Sequence, residues 1–178
     1  METRSVTNLG SSFDNKGITN MDWIGLVAQL ITLLLGGDRV DADSLIRILG
    51  NPTAKNDRLW RIQLSKERSE TIREAFLFTE DLSVGRGVVT AIELDLVQPW
   101  RISPENLGNS LGCTPRQIPT EPAMLKPGIS HSPRPRTFAC DIVRGNKHAI
   151  AMFTGRPVEA DPVSEIDVVE IVVSREYD

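Results

Sequence analysis

One short pattern occurs twice in this chain: paired leucines at helical spacing, then a glycine, then a proline. The two sets, in chain order, are Leu45, Leu49, Gly50 and Pro52, then Leu107, Leu111, Gly112 and Pro115. Leucines four residues apart lie on one face of a helix, which glycine and proline then end. Because strand-like runs follow both sets, we interpret the chain as two diverged copies of one unit, at 22–100 and 101–178, after a flexible N-terminal tail at 1–21.

The helices of the two copies start differently. From residue 22, apolar residues recur at helical spacing until Gly36 and Gly37, and a shorter helix then begins after a cap at Asp41 or Asp43. In the second copy, Ser103 supplies a capping hydroxyl, and the proline that follows it suits the first helical position. The pattern predicts a helical hairpin in the first copy and one helix in the second.

Three strand-like runs follow the helices in each copy, at 59–64, 75–79 and 88–97, then at 136–143, 148–154 and 167–174. Residues 65–73 form either a long turn or a short helix, and residues 85–87 and 144–147 are turn sequences. Alternation predicts one core-facing side that carries Trp60, Ile62, Leu64, Phe76, Phe78, Ile92, Leu94 and Leu96. The predicted fold class is α+β: two helix-plus-antiparallel-meander units packed together, with the helices on one face of the sheet.

The second copy gains a proline-rich loop at 114–135. Its prolines are Pro115, Pro119, Pro122, Pro127, Pro133 and Pro135. Such a segment favours extended, semi-rigid backbone over core packing.

In element order over residues 22–174, the chain resembles the beta-lactamase inhibitor protein family and a doubled form of the small outer-membrane assembly lipoproteins. The sequence support is the repeated leucine, glycine and proline pattern. The resemblance implies a surface that binds another protein. The chain departs from both families, because it shows no evident export signal or lipid-bearing cysteine, and its two cysteines cannot build paired disulfides.

Charge narrows the choice of partner. The net charge is −4, and the basic residues are scattered with no run that would follow a phosphate backbone, so we expect no nucleic acid partner. Acidic residues concentrate near the C-terminal end, which favours a basic protein partner. The apolar stretch at 24–35 is too short to span a membrane and lacks a preceding basic region, so we predict a cytoplasmic protein, with a periplasmic location as the alternative. The sequence does not indicate an oligomeric state.

No recognised catalytic, metal or cofactor motif is present, so we predict a protein that is not an enzyme and binds no metal or cofactor. Cys113 and Cys140 are either free thiols or one bridge, and the apolar neighbours of Cys140 favour a buried side chain. Cys140 with His148 is the sharpest enzymatic alternative, since adjacent strands would bring them close. His131 lies in the proline-rich loop, outside any constellation.

The side of the sheet opposite the core is the remaining candidate site. By alternation, the residues predicted on it are Arg61, Gln63, Glu93, Asp95, Asp141 and Glu170. We predict a binding or inhibitory protein, such as an immunity protein that neutralises a bacterial toxin through this acidic surface. An envelope or assembly factor is the alternative, and an uncharacterised enzyme is third. The same acids would also be explained by solvation of the sheet alone.

Overall fold

The structure is a computed structural model that describes residues 20–36, 42–55, 59–80, 88–119, 134–159 and 164–176. The helices are α1 (Asn20–Leu35), α2 (Ala42–Ile48), α3 (Lys66–Ser69) and α4 (Pro104–Leu111). The strands are β1 (Gly50–Lys55), β2 (Leu59–Leu64), β3 (Ile72–Glu80), β4 (Val88–Ile102), β5 (Arg116–Ile118), β6 (Arg136–Arg144), β7 (Lys147–Pro157) and β8 (Ile166–Glu176).

All of these strands belong to one 8-stranded antiparallel sheet with the order β1-β2-β3-β4-β8-β7-β6-β5. The first four strands form one meander and the last four form another, and β4 pairs with β8 where the meanders meet. The chain is therefore a mixed helix and sheet protein with an antiparallel sheet, as predicted, although its helices are few and short. β4 continues to Ile102, past the boundary at residue 100.

Every strand-like run predicted from the sequence lies in a strand, but each meander has four strands rather than three. The missed strands, β1 and β5, are the outermost ones. Pro52 lies within β1, and β5 lies between Pro115 and Pro119, inside the predicted proline-rich loop. Proline removes a backbone donor, which an edge strand tolerates because one side has no neighbour. Residues 120–133 of that loop lie outside the described ranges.

The helix ends agree with their local sequence. The Ser103 side chain accepts a hydrogen bond from the Asn106 amide at 3.1 Å, which caps α4, and Pro104 follows the cap. Gly112 ends the helix with φ 69°, a left-handed conformation that glycine adopts without steric cost. Residues 65–73 contain the short helix of the two alternatives, α3.

The covered face of the sheet, on which α1, α2 and α4 pack, carries the hydrophobic core. Helix α1 crosses the centre of the sheet, contacting β4, β7 and β8. The Trp23 ring of α1 stacks on Trp100 of β4 at 6.3 Å, and Trp100 meets the edge of Phe153 in β7 at 6.2 Å. Since Phe153 is fully buried, these rings fix α1 against the two strands.

Phe76 and Phe78 lie on the opposite side of the sheet from the one predicted. Strand register pairs Phe76 with Glu93, whereas Ala75 and Leu77 are buried in the core. The run at residues 75–78 is apolar throughout, so alternation alone does not distinguish its two sides. The remaining predicted positions of β2 and β4 do point toward the covered face.

Cys113 and Cys140 are joined by a disulfide with their Cα atoms 5.6 Å apart, which selects the bridge among the alternatives. Cys113 directly follows the C-terminal cap of α4, and Cys140 is fully buried in β6. The bond therefore ties the end of the second meander's helix to the sheet.

Within the described ranges, no helix is long and apolar enough to span a membrane. Residues 144–147 form the turn predicted between β6 and β7, where Gly145 has a positive φ of 64°. The predicted N-terminal tail, apart from its last two residues in α1, and the turn at residues 85–87 lie outside the part of the chain that the structure describes.

Candidate functional site: the open face of the sheet

The open face is the side of the sheet opposite α1. Among the described residues, no helix packs a hydrophobic core against this side. Strand register arranges its side chains in rows that run across the strands. One row, which we call the acidic row, joins Glu74, Asp95 and Glu170 and continues to Thr154 and Thr137. Strand pairing therefore determines which side chains are neighbours across the open face.

The centre of the open face holds an acidic cluster of Glu93, Asp95 and Glu170, whose carboxylate oxygens lie within 4.8 Å of one another. Burial raises the pKa of Glu93, and the negative charges of Glu170 and Asp95 raise it further. Among the described residues, no ion pair joins these three acids to a basic side chain. The cluster is thus a concentration of uncompensated negative charge.

Other acids on the open face are ion-paired. The part of the chain that the structure describes has three arginine–carboxylate pairs: Arg61 with Glu74, Arg101 with Asp167 at 2.8 Å, and Arg116 with Asp141 at 2.9 Å. In the last pair, the hydrogen bond from Arg116 is the main reason that the pKa of Asp141 is lowered. The Arg61–Glu74 pair lies next to the cluster, because Glu74 is the cross-strand neighbour of Asp95, but none of the three pairs includes an acid of the cluster.

His148 joins the Asp141 pair at one end of the open face. Its Nδ1 lies 2.7 Å from a carboxylate oxygen of Glu176, and its Nε2 lies 3.4 Å from a carboxylate oxygen of Asp141. Strands β5, β6, β7 and β8 each contribute one side chain to this group of Arg116, Asp141, His148 and Glu176. The guanidinium of Arg116 compensates the carboxylate of Asp141 here, unlike at the centre of the face.

A band of apolar side chains borders the acidic cluster. This apolar band comprises Phe76, Phe78, Ala91, Val172, Ile150 and Met152, all half-buried. Register places Phe76 on one side of Glu93 and Val172 on the other, and Met152 lies beside Val172. The open face therefore combines apolar area with adjacent negative charge.

The structure brings together only part of the predicted site. Glu93, Asp95 and Glu170 form the cluster, whereas Asp141 lies apart from it with Arg116. Arg61 is paired with Glu74, and Gln63 is an exposed residue of β2 opposite Asn51 of the edge strand.

Sequence reasoning missed the apolar band and the partners of Asp141. Alternation of Ile150 and Met152 with Ala151 and Phe153 in β7 was the signal available for part of the band. The partners of Asp141 depend on strand pairing between distant segments, which alternation does not reveal.

The chemistry of the open face favours charge recognition. Carboxylate oxygens are ligands for hard cations, but calcium takes six or more oxygens, so these three carboxylates would hold it only with further ligands. The pair proposed for nucleophilic chemistry is not assembled, because Cys140 is disulfide-bonded in the core and His148 lies on the open face.

No protein-family model, no curated protein and no solved structure matches this chain.

Proposed function

We propose that this protein binds a basic protein partner through the open face of its sheet and acts by covering that partner, as an inhibitor or immunity protein does. The observation that supports the proposal most directly is the acidic cluster of Glu93, Asp95 and Glu170, which lacks basic partners among the described residues. A partner that supplies lysine or arginine side chains would compensate this charge. No catalytic step is needed for such a role.

The rigidity of the open face also supports this proposal. Strands β4 and β8 are hydrogen-bonded on both sides, and their other face is packed against α1. Side chains on such strands are held in place before binding, which lowers the entropy lost when a partner docks. The apolar band beside the cluster supplies area that a partner would remove from water.

Charge reversal tests the proposal. Wild-type protein, the variant E93K/D95K/E170K and the control E67K/E105K/E159K serve as baits in an extract of the host, and each captured protein is then purified for titration calorimetry. The control changes net charge equally at exposed acids outside the open face. We expect a basic partner to bind wild type and control alike and to lose about a hundredfold in affinity for the open-face variant. Equal affinity of the purified partner for both variants would contradict the proposal.

A second candidate function, an envelope or assembly factor that docks to a larger complex, is favoured by the Cys113–Cys140 disulfide. Disulfides persist in oxidising compartments such as the periplasm and are rare in the cytosol. We therefore place the periplasmic alternative ahead of the cytoplasmic location. Fractionation of the host, with thiol labelling of each fraction, distinguishes the two: oxidised protein in the periplasmic fraction supports export, and reduced protein in the cytosol contradicts it.

We also infer that the two meanders are diverged copies of one unit. The sheet order is symmetric about its centre: counted from the two edges, β1, β2, β3 and β4 occupy the same positions as β5, β6, β7 and β8. A short helix precedes β1, and another precedes β5. Gly50 and Gly112, the helix stops of the two copies, both have positive φ, 139° and 69°. We include in this proposal a relationship with the beta-lactamase inhibitor protein family, on the basis of element order.

A further inference from the structure

On the inner strands of the open face, the described backbone is already paired, so it leaves no groups to hydrogen-bond with a docking segment. The six inner strands, which are β2, β3, β4, β8, β7 and β6 in sheet order, are hydrogen-bonded to neighbours on both sides. A segment lying on such a surface must satisfy its own backbone groups, because a buried amide or carbonyl without a hydrogen-bond partner is strongly unfavourable. An extended segment satisfies them only at a sheet edge, whereas an α-helix satisfies them internally.

The same sheet already carries a helix on its other side. Helix α1 packs on β4, β7 and β8, and its 16 residues contribute a row of fully buried positions that includes Val27, Leu30 and Leu34. The covered face that receives α1 is apolar, whereas the open face combines apolar side chains with carboxylates. A helix for the open face needs a different side-chain pattern from that of α1.

That pattern follows from the positions on the open face. The apolar band extends across β3, β4, β8 and β7, and the acidic row lies directly beside it. Glu93 lies between Phe76 and Val172, so one carboxylate of the acidic cluster has a side chain of the apolar band on either side. A complementary helix has apolar side chains on one side and lysine or arginine at the border.

We propose that the occupant of the open face is a basic amphipathic α-helix of a partner protein. This proposal rests on the proposed function and names the form of the partner's binding segment. The apolar side of the helix covers Phe78, Val172 and Met152, and its cationic side chains reach Glu93, Asp95 and Glu170. A second copy of this chain is a poorer occupant, because it would bring two acidic clusters together.

Synthetic peptides as long as α1 test the inference. One peptide has leucines at helical spacing with lysines and alanines elsewhere, and its control has the same composition with leucines and lysines alternating. Fluorescence anisotropy measures their binding to wild-type protein, to E93Q/D95N/E170Q, to M152Q and to the charge-matched control E67Q/E105Q/E159Q. Circular dichroism and thermal unfolding establish that each variant is folded.

We expect the helical peptide to bind wild type at least about tenfold more tightly than the alternating peptide. E93Q/D95N/E170Q should lose about tenfold in affinity and M152Q about threefold, whereas the charge-matched control should change by less than about twofold.

Three outcomes would overturn the helix proposal: equal binding of the two peptides, equal binding of the helical peptide to all variants, or binding of neither peptide. If host-partner capture still depended on the acidic cluster, the proposed function would stand without the helix. Loss of that dependence as well would remove both.

Discussion

The two faces of the sheet are built from neighbouring residues on the same strands, yet they have opposite physical character. In β7, Phe153 is fully buried against Trp100, whereas the adjacent Met152 points to the open face and is half-buried. The covered face is almost entirely aliphatic and aromatic, and its one buried polar side chain among the described residues is Thr79. The open face mixes apolar positions with carboxylates.

The difference places the stabilising contacts on the covered face and leaves the open face for the recognition that we propose. Packing on the covered face removes apolar area from water and holds the strands in register. The acids of the cluster contribute nothing comparable to stability, because like charges repel. Burial, and after it this repulsion, raises the pKa of Glu93. Features that do not stabilise a fold are candidates for function.

The largest expected difference between the faces is in side-chain truncation. Phe153→Ala should lower the free energy of unfolding by about 3–5 kcal/mol, because it leaves a cavity beneath α1. Met152→Ala, one residue away, should cost about 1 kcal/mol, since the side chain is already partly in water. Urea unfolding measures both. Similar losses for the two variants would show that the open face is packed like a core.

Reduction of the disulfide should have the next largest effect, confined to the covered face. The bond closes a loop with a sequence separation of 27, so the chain-entropy model assigns it about 3 kcal/mol. Adding a reductant should lower the urea midpoint of the wild type and leave C113S/C140S unchanged. Binding at the open face should persist in reduced protein that remains folded. An unchanged wild-type midpoint would argue against the bridge.

The smallest expected effect is a difference in how stability depends on pH between variants of two open-face acids, Glu93 and Asp141. The pKa of Glu93 is raised in the folded state, so its ionisation lowers stability as pH rises above the unfolded pKa and through the folded pKa. Glu93→Gln should therefore be more stable than wild type at neutral pH, by less than about 1 kcal/mol because the side chain is only partly buried and solvent screens its charge, and equal to it in acid.

Asp141 should behave in the opposite way. Its pKa is lowered by Arg116, so its contribution is present above the unfolded pKa and is lost as pH falls through the folded pKa. Asp141→Asn should reduce stability at neutral pH, with the difference vanishing in strong acid. Thermal unfolding from neutral to acid pH measures both variants, and parallel pH profiles would remove the contrast between the cluster and the ion-paired end.

Alternation in the sequence predicted most residues of the candidate site. It did not predict which of them lie together and which are ion-paired. Glu93 and Asp95 alternate in one strand, and Glu170 occupies an equivalent position in the strand that turned out to be its neighbour. Asp141 also lies on the predicted face, yet it is ion-paired with Arg116 and lies beside His148. Those partners come from β5 and β7, and strand pairing alone determines which residues meet.

The sequence by itself determined three of the four described helices, six of the strands and the antiparallel character of the sheet, because periodicity, capping residues and turn residues act locally. Only the tertiary structure decided which side of residues 75–78 faces the core, that prolines flank or enter the edge strands, and that β4 lies beside β8. These features depend on register and on the packing of α1 across segments far apart in the chain. The acidic cluster is their joint product: its carboxylates come from both meanders and meet only where the meanders pair.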